Sequence, residues 1–265
     1  MKAVFFDVDG TLIEGRDPKF RHMSGEVKAA IKKLQAQGAY VFIASGRSLP
    51  FLDSEMRSFG FDGYVLLNGA VVFFHDQIIY RAPLEKSFVQ SIISRCRENN
   101  LQYTLEGARD AYVLPEFEYL LNRLEEYGIY RDQLCLSYDP EELTVYKIEI
   151  DSPDQADKHI ITDCLPDDMT YVDDLAHGTC HVEVYAKANS KASGILKVLE
   201  KLGIDVKDSY AFGDGDNDIE MLSTVGLGMA MDNGTDKAKA AAKVIVPSIF
   251  DNGIAYGIEK YILKK

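Results

Sequence analysis

Two aspartates one residue apart are the strongest chemical signal in this chain. Asp7 and Asp9 follow directly on the apolar run 3–6, within the pentapeptide Asp7-Val8-Asp9-Gly10-Thr11. Two carboxylates this close repel each other, and the usual remedies are a bound cation or a shared proton. Gly10 allows a sharp turn and a close approach of the backbone to a ligand. The pattern predicts a buried strand that carries acidic groups to the mouth of a sheet.

A second acidic cluster lies near the carboxyl end of the chain. Residues 213–218 contain three aspartates and one asparagine, spaced by glycines. This is a heavy supply of oxygen ligands for a hard cation such as Mg2+. The other cation-binding loop with this spacing is an EF-hand, but its twelfth position, counted from Asp214, is Val225 and not the required glutamate. The segment therefore favours a site with few carboxylates, completed by water or phosphate.

Two further residues are candidates for anion binding. Ser45-Gly46 follows a strand-like run and offers a hydroxyl and a backbone N–H near a predicted helix start. A simple helix cap is the alternative interpretation of Ser45. Lys191 stands at the start of a predicted helix, where a cation is slightly unfavourable to the helix dipole. That mismatch favours a functional role, although a solvated lysine is the more common case.

Short apolar runs alternate with helical patterns at both ends of the chain. Runs at 3–6, 40–44, 64–67 and 210–212 read as buried strands, and a helix is predicted over 50–59. Buried strands separated by helices indicate a parallel sheet covered on both faces. The acidic clusters and the serine each follow such a run, at the end where open α/β sheets bind ligands. The predicted fold class is therefore α/β, with a Rossmann-like parallel sheet as its core.

The middle of the chain has a different pattern, in which helices mix with alternating strands. Lys147, Glu149 and Asp151 alternate with apolar residues, which predicts a sheet with one solvent-exposed face. We therefore expect a second, α+β domain inserted into the first. The predicted boundaries are a discontinuous core of residues 1–82 and 186–265 and an inserted cap of residues 83–185.

The composition is that of a globular protein. The chain has 265 residues, 46% of them hydrophobic, and a formal net charge of −13. An acidic chain without an evident basic patch argues against nucleic acid or an anionic membrane as a partner. The four cysteines lack zinc-ligand spacing, no run is long enough to span a membrane, and the chain starts on a strand rather than a signal-like segment. We expect a cytoplasmic protein, either a monomer or a small homo-oligomer.

Taken together, these clusters resemble the haloacid dehalogenase superfamily of phosphoryl-transfer enzymes, whose four motifs occur here in order. The pentapeptide 7–11 is similar to the first motif, Ser45 to the second, Lys191 to the third and the segment 213–218 to the fourth. The insertion that follows Asn68-Gly69-Ala70 resembles the C2-type cap of the Cof-like subgroup. Ser45 stands where threonine is usual in that family and keeps the hydroxyl group.

The resemblance implies a Mg2+-dependent phosphatase that works through an aspartyl-phosphate. Asp7 would be the nucleophile, Asp9 the general acid and base, and Thr11 a residue that orders the loop. The implied metal ligands are Asp7, the backbone carbonyl of Asp9, Asp214 and Asp218. The implied phosphate-binding residues are Ser45, Gly46, Lys191 and Asn217.

The substrate stays open at this point. The resemblance implies a small phosphorylated metabolite, such as a sugar phosphate or a phosphorylated cofactor, with the inserted domain as a lid that selects the leaving group. The alternatives are a phosphosugar mutase and a non-catalytic phosphate sensor. A phospho-signalling receiver module fits less well, because such modules are about half this length and lack an insertion. Candidate substrate-contacting residues of the cap are Arg109, Tyr112, Tyr119, Arg123, His177 and His181.

Overall fold

The computed structural model describes residues 1–14, 17–173 and 178–263. Contacts between Cα atoms divide the chain into two compact units. The core unit contains Met1–Gly46, Asp53–Arg81 and Ser190–Lys265, and the inserted unit contains Arg47–Leu52 and Ala82–Asn189.

Strands and α-helices of the two units are numbered along the chain. The strands are β1 (Ala3–Phe6), β2 (Tyr40–Ala44), β3 (Gly63–Leu66), β4 (Val71–Phe74), β5 (Gln77–Arg81), β6 (Gln102–Glu106), β7 (Ala111–Tyr112), β8 (Lys147–Ser152), β9 (Met169–Asp173), β10 (Cys180–Ala186), β11 (Ser209–Gly213), β12 (Leu227–Met231) and β13 (Val244–Val246). The helices are α1 (Gly25–Ala36), α2 (Ser54–Ser58), α3 (Lys86–Glu98), α4 (Glu118–Glu126), α5 (Lys158–Thr162), α6 (Lys191–Leu202), α7 (Ile219–Thr224), α8 (Asp236–Ala241) and α9 (Gly253–Gly257). None of these helices combines the length and the apolar character needed to span a membrane.

The core unit is built on an eight-stranded sheet in the order β13-β12-β11-β1-β2-β3-β4-β5. The strands from β13 to β3 run parallel, and β4 and β5 form an antiparallel hairpin at one edge. Every side chain of β1 is buried, as expected of a strand in a sheet covered on both faces. The chain extends the sheet from β1 in both directions, so β1 lies at the switch point where such sheets bind ligands. The predicted α/β fold class is confirmed.

Helix α6 begins at Lys191, and a reciprocal pair of hydrogen bonds fixes its start. Ser190 Oγ accepts from the backbone N–H of Ser193 at 3.2 Å, and Ser193 Oγ accepts from the N–H of Ser190 at 3.0 Å. Gly194 lets the helix approach β3, because a Cβ at this position would lie 2.5 Å from Val65 Cγ1. A larger residue would push the helix, and Lys191 with it, away from the sheet.

The inserted unit contains a five-stranded antiparallel sheet in the order β7-β6-β8-β10-β9. One face of this sheet packs against α3 and α5 through an apolar cluster. The cluster includes Ile92, Tyr103, Ile148, Ile161 and Val182. Burial of this apolar face stabilises the inserted unit.

The opposite face of this sheet is polar and buried. Lys147, Glu149 and Asp151 are 1%, 7% and 1% exposed, so the prediction of a solvent-exposed face is wrong. Lys147 Nζ lies 2.9 Å from a carboxylate oxygen of Glu106 and 2.8 Å from those of Glu149 and Glu183. Cross-strand partners of opposite charge allow these groups to be buried. Alternation places side chains on one face of a strand, but it carries no information about their partners on the neighbouring strands.

Asp151 has two cationic partners on this polar face. Arg123 of α4 contacts its Oδ1, and Nδ1 of His181 lies 3.0 Å from the same oxygen. Burial alone would lower the pKa of His181, but hydrogen bonds to Asp151 and Glu183 raise it to about 10. The imidazole is therefore a cation at neutral pH. We call the groups around Lys147 and Asp151 the cap cluster, which comprises Glu106, Arg123, Lys147, Glu149, Asp151, His181 and Glu183.

The residues Arg47–Leu52 group with the inserted unit, although the sequence analysis includes them in the core range. Phe51 explains this grouping, because it packs in an apolar cluster with Leu121 of α4. The helix predicted over 50–59 is interrupted here. A 3-10 turn at Leu49–Phe51 precedes the short helix α2.

Candidate functional site

Three adjacent parallel strands bring the predicted catalytic residues to one edge of the core sheet. Strand β1 lies between β11 and β2, so the loops that carry Asp7, Asp214 and Ser45 leave the sheet side by side. Asp7 is the first residue after β1, and its backbone N–H donates to Phe212 O at 3.0 Å. This bond continues the ladder between β1 and β11 and holds Asp7 at the sheet edge.

The turn after Asp9 is shaped around Gly10. Its φ is +77°, and a Cβ at this position would lie 2.1 Å from Asp214 Oδ2. Only glycine combines this conformation with so close an approach. Thr11 is 1% exposed, and its Oγ1 donates to Asp214 Oδ1 at 2.7 Å. The hydroxyl group thus joins the first acidic loop to the second.

Asp218 holds together the loop that carries Asp214. Its side chain is fully buried, and Oδ2 accepts from the backbone N–H groups of Asp214 and Gly215, both at 2.9 Å. The other oxygen, Oδ1, accepts from Lys191 Nζ at 2.7 Å. Three donors satisfy this buried carboxylate. The loop is therefore closed around the Asp218 side chain.

Lys191 links the two acidic loops. The residue is 1% exposed, and its Nζ lies 2.6 Å from Asp7 Oδ1 as well as 2.7 Å from Asp218 Oδ1. Burial alone would lower the pKa of Lys191, but the charges of Asp218 and Asp7 and the hydrogen bonds to them raise it on balance. The side chain is a permanent cation, placed where it can neutralise a carboxylate or a bound anion.

Asp7, Asp214 and Asp218 form, among the described residues, a group suited to hold a metal ion. One ligand oxygen of each lies within 4.8 Å of the others. Burial and the charge of Asp218 raise the pKa of Asp7 well above its usual value, and burial raises the pKa of Asp214 to about 6. Three crowded carboxyls beside one lysine ionise less readily than free ones, and a divalent ion with a preference for oxygen ligands would favour their charged forms. The residues present therefore fit Mg2+.

The other predicted site residues lie on the same loops and differ in exposure. Ser45 is 1% exposed, and its backbone N–H donates to Val65 O at 2.8 Å, next to Gly46. Asp9 and Asn217 are exposed. An exposed Asp9 can be reached by a substrate and by water, as a proton-transfer group must be. The contacts described above join Asp7, Thr11, Lys191, Asp214 and Asp218.

The candidate residues of the inserted unit have varied surroundings. Arg123 and His181 both contact Asp151 in the cap cluster. Tyr112 is half-buried. His177 lies outside the described residues.

Asn233 is a residue at this sheet edge that the sequence analysis did not single out. It lies in the turn between β12 and α8, and its Nδ2 donates to Gly10 O at 2.8 Å. An Asn-Gly pair is an ordinary turn signal. Its position directly after a parallel strand, at the same edge as the acidic loops, is the signal that could have identified it.

The sequence pattern of one family and two curated relatives match almost the whole chain. The pattern of the haloacid dehalogenase-like hydrolases matches residues 4–258. YkrA of Bacillus subtilis (strain 168), a protein named as a candidate phosphatase, is 30% identical over 100% of this chain and 99% of its own length. A phosphoglycolate phosphatase of Methanopyrus kandleri is 27% identical over 98% of this chain and 96% of its own length.

Solved structures share the fold. A hypothetical protein from Geobacillus kaustophilus HTA426 has a TM-score of 0.85 at 28% identity, over 98% of each chain. The subclass IIB sugar phosphatase BT4131 has a TM-score of 0.79 at 23% identity, also over 98% of each chain, and this likeness concerns the fold alone. The family and the hydrolytic class of enzyme predicted from the four motifs are confirmed. The chain belongs to the haloacid dehalogenase-like hydrolases.

Proposed function

We propose that this hydrolase is a Mg2+-dependent phosphatase that cleaves small phosphate monoesters through an aspartyl-phosphate on Asp7. The observation that carries the proposal is the contact of the buried Lys191 with both Asp7 and Asp218, beside Asp214. A nucleophilic carboxylate, a cation for the phosphate and a set of oxygen ligands for a metal are the groups that phosphoryl transfer requires. A relative named as a phosphatase, at 27% identity, and one named as a candidate phosphatase, at 30% identity, support the same chemistry.

The proposed metal ligands are Asp7, Asp214 and the backbone carbonyl of Asp9. Asp218 would be a further ligand or the anchor of the loop, a role supported by its bonds to two backbone N–H groups. When bound, Mg2+ neutralises the repulsion between the Asp7 carboxylate and the phosphate of the substrate.

In the proposed reaction, Asp7 attacks phosphorus with a carboxylate oxygen, and the bond from phosphorus to the leaving alcohol breaks. Asp9 gives its proton to the leaving oxygen. In the second half, Asp9 takes a proton from a water molecule as that water attacks phosphorus. The bond from phosphorus to Asp7 then breaks, which releases inorganic phosphate and restores both carboxyl groups. The phosphate oxygens would be bound by Ser45, Gly46, Lys191 and Asn217.

Sugar phosphates and phosphorylated cofactors are the proposed substrates. A relative named as a phosphoglycolate phosphatase, at 27% identity, supports a small phosphate monoester as the substrate. The action of residues 83–185 as a lid, the cytoplasmic location, and a monomeric or small oligomeric state stay predictions.

Release of inorganic phosphate tests the proposal. The purified chain is incubated with a panel of sugar phosphates, nucleotides and phosphorylated cofactors, with Mg2+ and with EDTA. Mg2+-dependent release that differs among the panel members supports the phosphatase and identifies the substrate class. If the folded, Mg2+-loaded chain releases no phosphate from any member, the proposal is wrong. Activation by a sugar bisphosphate would then identify a mutase.

A further inference from the structure

The turn between β12 and α8 contacts both acidic loops of the site. Asn233 Nδ2 donates to Gly10 O at 2.8 Å, and the backbone N–H of Thr235 donates to Asp214 O at the same distance. A Cβ on Gly234 would lie 2.8 Å from Asp214 O, which shows how closely the turn follows that loop. Among these contacts, the one made by Asn233 depends on a side chain, so substitution can test it.

Asn233 fixes the conformation of Gly10. A glycine can move between widely separated φ and ψ values, so a glycine beside a catalytic residue needs external restraint. The N–H of Gly10 donates to Ile13 O at 2.8 Å, and its carbonyl accepts from Asn233. These two bonds hold the peptide planes on both sides of Gly10. Because a peptide group is planar, the bond to Ile13 fixes the Asp9–Gly10 peptide. The bond from Asn233 fixes the Gly10–Thr11 peptide and, with it, the backbone of Thr11, whose hydroxyl donates to Asp214 Oδ1.

The second amide atom of Asn233 shows which way its side chain is oriented. Oδ1 accepts from the backbone N–H of Ile249 at 2.8 Å. A backbone N–H can only donate and a carbonyl can only accept. The amide atom of Asn233 that faces the Ile249 N–H must therefore be the oxygen, and the one that faces the Gly10 carbonyl must be the nitrogen. A side chain here must therefore both accept and donate, as an amide does. Aspartate would satisfy Ile249 but would direct a second acceptor at Gly10.

We propose that Asn233 is a positioning residue of the hydrolase site, which keeps the Thr11 hydroxyl on Asp214 by holding the carbonyl of Gly10. The proposal rests on the proposed function, in which Asp214 is a metal ligand. The side chain itself is exposed, so its effect is exerted through two backbone contacts and not through burial. Loss of the Gly10 bond loosens the Gly10–Thr11 peptide, although the backbone bonds of the turn remain, and metal binding must then restore the order that Asn233 supplied.

Two substitutions at this position separate the Gly10 contact from the Ile249 contact. Asn233→Asp keeps the acceptor for Ile249 but places an oxygen against the Gly10 carbonyl, whereas Asn233→Ala removes both bonds. We expect both variants to bind Mg2+ about fivefold or more weakly in calorimetric titration without substrate. The aspartate variant should be the weaker, because repulsion is added to the lost bond. The kcat of phosphate release at a fixed, limiting Mg2+ concentration should fall in the same order, with KM for the substrate unchanged.

The matched control is Asn99→Ala in the inserted unit. Asn99 is also an exposed asparagine, and its Nδ2 donates to Arg95 O at 2.8 Å. This variant should bind Mg2+ like the unaltered chain. If Asn233→Asp binds Mg2+ within about twofold of the unaltered chain while Asn233→Ala does not, the residue acts through Ile249 and the proposal is wrong. Unchanged affinity in both variants also overturns it. Because the titration needs no turnover, a failure of the proposed phosphatase activity would be seen separately, in the unaltered chain.

Discussion

Two buried lysines, one in each unit, have almost the same local surroundings, but their carboxylate partners come from different kinds of structural element. Lys191 and Lys147 are both 1% exposed and both contact several carboxylates. The partners of Lys191 lie on loops at the carboxyl ends of parallel strands, far apart in sequence. Those of Lys147 lie on its own strand β8 and on the neighbouring strands β6 and β10, where the pairing of Glu106 with Lys147 and of Glu149 with Glu183 fixes their positions. Loops can adjust around a ligand, but side chains set by strand register cannot do so without breaking the sheet.

The charge balance of the two clusters also differs. In the cap cluster, three cations face four carboxylates, and burial raises the pKa of Glu106 well above its usual value, which favours its neutral form. At the core site, among the described residues, Lys191 faces three carboxyls whose oxygens approach within 4.8 Å, and burial raises the pKa of Asp7 and of Asp214 there as well. Burial of carboxyls by itself therefore does not identify a binding site. The core group differs in having one cation for three carboxyls and in lying where parallel strands end.

Asp7→Asn should have the largest effect, because it removes the proposed nucleophile from the acidic group of the core unit. We expect phosphate release to fall at least about 10^4-fold, while the far-UV circular dichroism stays unchanged, since one charge leaves a crowded acidic group. The matched control is Asp205→Asn, whose carboxylate is exposed and pairs with Lys207. Near-normal activity of the Asp7 variant would show that Asp7 is not the nucleophile.

Lys147→Met and Lys191→Met compare the two lysines directly. Removal of the cation from a buried ion pair costs about 3–5 kcal/mol, because the carboxylates lose their partner. We expect both variants to unfold at lower denaturant concentration. Mg2+ should stabilise Lys147→Met by the same amount as the unaltered chain, because the core site of this variant is intact. It should stabilise Lys191→Met by more, because the ion can also take the place of the lysine among Asp7, Asp214 and Asp218. A gain in Lys147→Met that exceeds the gain of the unaltered chain would show that the cap cluster also binds metal.

Removal of single carboxylates extends the same test to Mg2+ binding by the folded chain. At a Mg2+ concentration of about 100 times the dissociation constant, the unaltered chain should gain roughly 2.7 kcal/mol of stability. Asp214→Asn should abolish most of this gain, and Glu183→Gln should leave it unchanged. The shift of the thermal midpoint on addition of Mg2+ measures both effects. A Mg2+-dependent shift that persists in Asp214→Asn would place the ion elsewhere.

The core and its candidate site could be predicted from the sequence because their signals are local. Apolar runs such as 3–6 form buried strands, and parallel strands bring the residues that follow them to one edge. The cap cluster could not be predicted in the same way. Alternation placed Lys147 and Glu149 on one face, but burial of that face depends on Glu106 and Glu183, which other strands supply through their register. Asn233 escaped notice because its contacts with Gly10 and Ile249 are made across the fold.

The smallest expected effect is the pH dependence that His181 gives to the cap cluster. The groups that face it are Asp151, Glu183 and Glu149, and Arg123 shares Asp151 with it. Its pKa is raised from 6.5 to about 10, so the protonated imidazole stabilises the folded state. This contribution is complete below pH 6.5 and is lost as the pH rises towards about 10.

His181→Gln isolates this contribution from the other groups that titrate at high pH. The difference in unfolding free energy between the unaltered chain and the variant should shrink by about 1–2 kcal/mol across that interval, less than the whole shift implies because Arg123 also neutralises Asp151. Denaturant unfolding at the two ends of the interval measures the change. A difference that stays constant with pH would mean that the His181 proton contributes nothing to the fold. The cap cluster would then depend on Lys147 and Arg123 alone, and the contrast with the metal-binding group of the core would become sharper.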